Sequence, residues 1–150
     1  MNKSDFAGLT ALVIDDEYFM RRLLSALLHD IGFSSVVTTE DGAEGLNRIE
    51  STTHAIDVVI CDLEMPLVNG FEFIAMLRAS READNPNIPV VIVTGHSEER
   101  HVHDAVKLGI HGFLVKPISH ATLERRVRQA LQSEPIDPEQ LAQKPQPMLP

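Results

Sequence analysis

Ala11-Leu12-Val13-Ile14-Asp15-Asp16, four apolar residues closed by two acids, has a counterpart in Val58-Val59-Ile60-Cys61-Asp62. A further run, Gly112-Phe113-Leu114-Val115, closes on Lys116. Short, uninterrupted apolar runs rich in β-branched residues read as strands buried on both faces, which is the habit of a parallel sheet. Strands are predicted near Thr10–Ile14, Ser35–Thr38, Val58–Cys61, Val90–Val93 and Gly112–Val115, the second being short and partly polar. Each is followed by an amphipathic stretch, so the chain reads as five strand-helix units with helices on both faces of the sheet.

The helix signals are local. Phe19, Leu23, Leu24, Leu27, Leu28 and Ile31 recur at helical spacing, and Gly32 stands where a helix stops in a positive-φ conformation. Asp41 with Glu44, and Asn69 with Glu72, have capping-box spacing and mark the second and third helices. Ser97 followed by Glu98 and Glu99 marks the fourth. The fifth is predicted over His120–Gln132, burying Leu123, Val127, Ala130 and Leu131 with Arg125, Arg126 and Arg128 outward. Beyond Ser133 the composition turns to Pro, Gln and Glu, too little apolar surface to offset ordering entropy, so residues 134–150 read as a flexible tail or linker after a domain spanning 1–133.

Right-handed crossovers and short connections favour the flavodoxin-like, doubly wound α/β order 2-1-3-4-5. The first and third strands are then neighbours, and their terminal acids meet at the carboxyl edge where such sheets bind ligands. At roughly 5 Å and an effective dielectric of about 20, each carboxylate pair repels by roughly 3 kcal/mol. Lys116 alone does not offset that. An oxygen-seeking divalent cation does, and Mg²⁺ suits the site because it accepts a few carboxylates and keeps water or phosphate oxygens as its other ligands. Phosphoryl chemistry is the expectation.

Composition narrows the classes further. The 150 residues suit one domain with one core and leave no room for a second catalytic domain. A formal charge of −9 argues against direct nucleic-acid binding, which depends on Lys and Arg neutralising phosphates. Cys61 is the only cysteine, and no apolar stretch is long enough for a membrane span or a secretory signal, so the expected compartment is the cytoplasm. Cys61 should face the core. The seven histidines show no metal-site spacing with cysteine, and most read as surface residues.

Together with Thr94, which ends Val90-Val91-Ile92-Val93, four motifs in order resemble the receiver domain of two-component response regulators over about Leu9 to Gln132. They are Val13-Ile14-Asp15-Asp16-Glu17, Cys61-Asp62-Leu63-Glu64-Met65-Pro66-Leu67-Val68-Asn69-Gly70, Val93-Thr94-Gly95 and Phe113-Leu114-Val115-Lys116-Pro117. The resemblance, which is to chemotaxis-regulator-like receivers, implies that Asp62 accepts a phosphoryl group from a sensor histidine kinase or histidine phosphotransfer protein. It implies that Asp15, Asp16, Asp62 and the backbone carbonyl of Glu64 hold Mg²⁺, while Lys116 and the Thr94 hydroxyl attend the phosphoryl oxygens. Thr94 and Phe113 would form the switch, resetting the surface of the fourth helix, fifth strand and fifth helix toward a downstream protein or output domain. Glu64 and His96, two places after the acceptor and after Thr94, would tune the lifetime of the phosphorylated state. Such a protein is a phosphoacceptor switch, with self-phosphorylation and slow autodephosphorylation its only chemistry.

Other readings fit the residues less well. The chain reads equally as a free-standing receiver or as the amino-terminal module of a longer effector. A haloacid-dehalogenase-like phosphatase also uses a strand-end aspartate with Mg²⁺, but Asp15-Asp16-Glu17 does not supply its Asp-x-Asp pair. A calcium loop at Asp62 to Phe73 is interrupted by Pro66, and the acids after the first strand repel the bare phosphate of a dinucleotide.

Overall fold

A computed structural model describes residues 3–51, 55–65, 67–95 and 99–132. His96, the helix start expected at Ser97 and the tail expected from residue 134 lie outside them. The strands are β1 (Thr10–Ile14), β2 (Ser35–Thr39), β3 (Val58–Asp62), β4 (Val90–Thr94) and β5 (Gly112–Val115). They form one parallel sheet in the order β2-β1-β3-β4-β5. The helices are α1 (Tyr18–Ile31), α2 (Gly42–Ser51), α3 (Gly70–Ala79), α4 (Glu99–Leu108) and α5 (His120–Gln132). This is the flavodoxin-like arrangement expected.

Strand residues alternate between two cores, as the period-2 geometry of a strand requires. On one side Leu12, Ile14, Val59, Cys61 and Ile92 pack with Phe73, Ile74 and Leu77 of α3. On the other, Ala11, Val13, Val58 and Ile60 pack with Leu24 and Leu28 of α1 and Leu123 and Val127 of α5. Every residue of β3 and β4 is buried, which accounts for their unbroken apolar sequence. β2 is an edge strand and stays half-exposed, so its polar residues cost little there.

The caps follow the sequence closely. Asn69 and Glu72 form the complete reciprocal box, with amide-to-side-chain bonds of 3.0 and 3.1 Å. The Asp41 carboxylate accepts from the Glu44 amide at 2.9 Å. Gly32, at φ 133°, donates its amide to the carbonyls of Leu28 and His29 and stops α1.

Three expectations about helix faces need correction. Phe19 is 71% exposed, because the first turn of α1 stands beyond the carboxyl ends of the strands and has no sheet beneath it. Arg128 folds back over the Phe6 ring, 4.6 Å from its centroid, and pairs with Asp5 at 2.9 Å and Glu124 at 3.0 Å. Arg126 likewise turns inward, over the ring of Phe113. Arg125 is exposed as expected, and Leu131 is only partly buried.

Candidate functional site

The register brings the ends of four strands to one edge: Ile14 is level with Cys61, Asp62 with Val93, and Thr94 with Val115. Residues that follow these ends must therefore meet. Asp15, Asp16 and Asp62 each offer one carboxylate oxygen, and those oxygens lie within 4.8 Å of one another. Asp15 and Asp62 are buried, whereas Asp16 is exposed at the mouth.

Asp15 is held in place. One oxygen accepts the Glu17 amide at 2.8 Å, and its backbone carbonyl accepts the Arg21 guanidinium at 2.9 Å. Its other oxygen is buried without a hydrogen-bond partner. Burial raises the carboxyl above its usual pKa, a shift opposed by the Glu17 amide and Lys116. A buried carboxylate oxygen left unpaired costs about 1–3 kcal/mol or more, so the arrangement is complete only when a cation or proton reaches it. The donor set is all oxygen, which suits a hard divalent ion such as Mg²⁺.

Asp62 is also buried, and its carboxyl is raised to about 6, first by burial and then by neighbouring Asp15, against the opposing Glu64 amide and Lys116. The Glu64 amide donates to one of its oxygens at 3.1 Å. Lys116 Nζ stands 3.6 Å from the other. The site thus holds a carboxylate that is poorly solvated yet largely ionised at neutral pH, with a cation beside it. That is the condition for an oxygen nucleophile toward an anionic electrophile whose charge needs neutralising.

Neighbouring elements aim these groups. The Lys116 amide donates to the Thr94 carbonyl at 2.8 Å, tying the end of β5 to the end of β4. Thr94 is buried, and its hydroxyl donates to the Gly95 carbonyl at 3.3 Å. Glu64 is exposed, with its backbone turned to Asp62. Phe113 is 3% exposed and lies in the core with Ile92, Ala105 and Ile110.

Sequence reasoning missed three contributors. Glu17 reaches across the mouth to Lys116 at 3.9 Å, so the lysine is shared between an inner and an outer carboxylate. The signal was present as the third acid of Asp15-Asp16-Glu17. Gly70 lets α3 start against the acceptor strand, since a Cβ there would lie 2.6 Å from the Asp62 carbonyl oxygen and 2.8 Å from Leu63 Cα. Arg21 is six residues from the carbonyl it binds, and no pattern in the chain announces that bond.

Known proteins resemble this chain in sequence and in fold. Residues 11–128 match the family described as response regulator receiver domain. The chemotaxis protein CheY-3 of Vibrio cholerae is 30% identical over 120 residues, which cover 80% of this chain and 89% of that protein. The crystal structure of a response regulator receiver domain protein from Clostridium thermocellum is similar at a TM-score of 0.74 and 30% identity, over 83% of this chain and 94% of that one. At 21% identity and a TM-score of 0.72, the receiver domain of a sensor histidine kinase from Pseudomonas aeruginosa shares the fold over 84% of this chain and 99% of its own; it was crystallised with a magnesium ion coordinated in its active-site cleft.

Proposed function

The chain belongs to the response regulator receiver domain family of two-component signalling, and from that premise we propose that Asp62 accepts a phosphoryl group from a histidine kinase or histidine phosphotransfer protein. The observation that carries this reading is the pairing of a buried, ionisable Asp62 with Lys116 at 3.6 Å inside a three-carboxylate cluster.

In the proposed step an oxygen of Asp62 bonds to phosphorus as the phosphorus–nitrogen bond of the donor's phosphohistidine breaks. The electron pair leaves with the imidazole, and the product is an acyl phosphate. Lys116 offsets the charge carried into the site, and the Thr94 hydroxyl rotates from the Gly95 carbonyl to a phosphoryl oxygen. Little covalent work falls to the protein beyond this positioning and charge stabilisation. Asp15, Asp16, Asp62 and the Glu64 carbonyl would hold Mg²⁺, and the orphaned Asp15 oxygen supports that assignment. When bound, the ion neutralises charge shared by the carboxylates and the transferring group.

The phosphoryl group adds charge and strong acceptors, so Thr94 moves inward and Phe113 responds in the space it leaves. Through Phe113 the surface of α4, β5 and α5 signals to a downstream protein or output domain. The Glu64 and His96 side chains set the lifetime of the acyl phosphate. The chain acts as a switch in the cytoplasm, with residues 1–133 as the receiver and 134–150 as tail or linker. Among the described residues no helix is long and apolar enough to cross a membrane.

The test is intact mass after incubation with acetyl phosphate and Mg²⁺. One phosphoryl adduct on the wild type and none on Asp62→Asn supports the reading. Equal labelling of both proteins rejects Asp62 as acceptor.

A further inference from the structure

We propose that Arg126 is a positioning residue for Phe113, its guanidinium closing the pocket in which the ring sits. Phe113 and Leu114 face opposite sides of the sheet, Phe113 with Ile92 and Ala105, Leu114 with Leu123 and Val127 of α5. Arg126 belongs to α5, on the far side from the ring. It reaches the ring because β5 is an edge strand, and its stem passes beside Gly112, where the Cβ position lies an ordinary contact distance of 4.0 Å from Arg126 Cδ. The stem crosses the sheet edge at the glycine, and the guanidinium carbon ends 5.7 Å from the Phe113 centroid.

Half-buried, Arg126 has given up water at one nitrogen for this position. Its Nε is buried without a hydrogen-bond partner, and Nη1 donates to Gln129 Oε1 at 3.3 Å. An unpaired buried donor on a charged group is costly, and the ring face is what it meets in exchange. Phe113 has no hydroxyl to anchor its outer edge, so the cation above it is the polar element that resists outward rotation. Outward rotation of the ring gives up this contact with Arg126. The consequence is a ring biased inward before any phosphoryl group arrives, which makes the inactive–active equilibrium a property of α5 as well as of Thr94.

The part concerning phosphorylation rests on the function proposed above; the ring contact does not, and the two are separable by experiment. The full chain is labelled with 4-fluorophenylalanine, and the Phe113 fluorine resonance is assigned by its loss in Phe113→Leu. Ring exposure is read from relaxation by a soluble paramagnetic chelate, without phosphodonor, in wild type, Arg126→Met and Arg126→Lys. Met keeps an apolar stem and removes the cation, and the out-rotated population should rise about five-fold, the size expected for a partly desolvated cation–ring contact. Lys should restore part of the protection. Unchanged Phe113 relaxation in Arg126→Met, or a Lys variant indistinguishable from Met, overturns the inference, while the five other phenylalanines report any general loosening. Asp62 labelling is measured on the same samples. A released ring with unlabelled wild-type Asp62 removes the phosphoacceptor reading alone, and a labelled Asp62 with an unmoved ring removes the Arg126 contact alone.

Discussion

Asp62→Asn should stabilise the metal-free protein at pH 7.5. The folded-state carboxyl is raised from 3.8 to about 6, chiefly by burial. A shift of about 2 units corresponds to roughly 3 kcal/mol, and the solvated mouth at Asp16 discounts this to about 2 kcal/mol. The sign follows from linkage: the folded state binds the proton more tightly than the unfolded chain, so the wild type keeps this stability below pH 3.8 and loses it as pH rises through 6. Asparagine carries no charge to desolvate, and its carbonyl oxygen can still accept the Glu64 amide now bonded at 3.1 Å. The variant should therefore exceed the wild type by about 2 kcal/mol at pH 7.5 and match it near pH 3.5. In a domain of this size that is about 6 °C in melting temperature. His111, buried and lowered to about 4, destabilises both proteins equally as pH falls and drops out of the difference. The assay is urea denaturation in a chelating buffer across this range. With Mg²⁺ added the order should reverse, because the wild type gains binding free energy that the variant largely forfeits. A variant less stable than the wild type at pH 7.5 without metal would refute the claim that Asp62 is a strained, desolvated charge.

Gly70→Ala should destabilise by about 1–3 kcal/mol and slow labelling of Asp62, since the new methyl meets the backbone of Asp62 and Leu63, which cannot swing aside; denaturation midpoints and adduct formation rates check both effects. Glu17→Gln frees Lys116 from its outer partner and should speed labelling by anionic acetyl phosphate by about three-fold, less at high salt, as expected for one screened charge at the mouth; a rate indifferent to both charge and salt counts against it. Arg78→Met should cost about 2–4 kcal/mol, because the half-buried guanidinium donates to the carbonyls of Pro86, Ile88 and Gly109 at 2.7 to 3.2 Å and no apolar residue replaces those bonds; below its unfolding range the variant should still label at Asp62.

The sheet was legible because β1, β3 and β4 are buried on both faces and so carry unbroken apolar runs that end where the acids begin. The clustering of Asp15, Asp16 and Asp62 followed from strand order, and the oxygens do meet. What escaped notice depends on where elements end. Phe19 has the spacing of a core residue, but spacing says nothing of whether a sheet lies beneath that turn. Arg126 and Arg128 read as solvated because helix periodicity describes Cβ directions, whereas a long stem can pass a glycine or fold onto Phe6. Glu17 was visible as a third acid, yet its reach to Lys116 depends on a loop geometry that neither residue encodes alone.

The central claim is that one carboxylate, Asp62, takes the phosphoryl group. Borohydride reduces an acyl phosphate to the alcohol, so treating the labelled protein and sequencing its peptides marks the acceptor as homoserine. Homoserine is expected at position 62 alone. Homoserine at 15 or 16, or a phosphoryl group retained on any of the histidines, would contradict it.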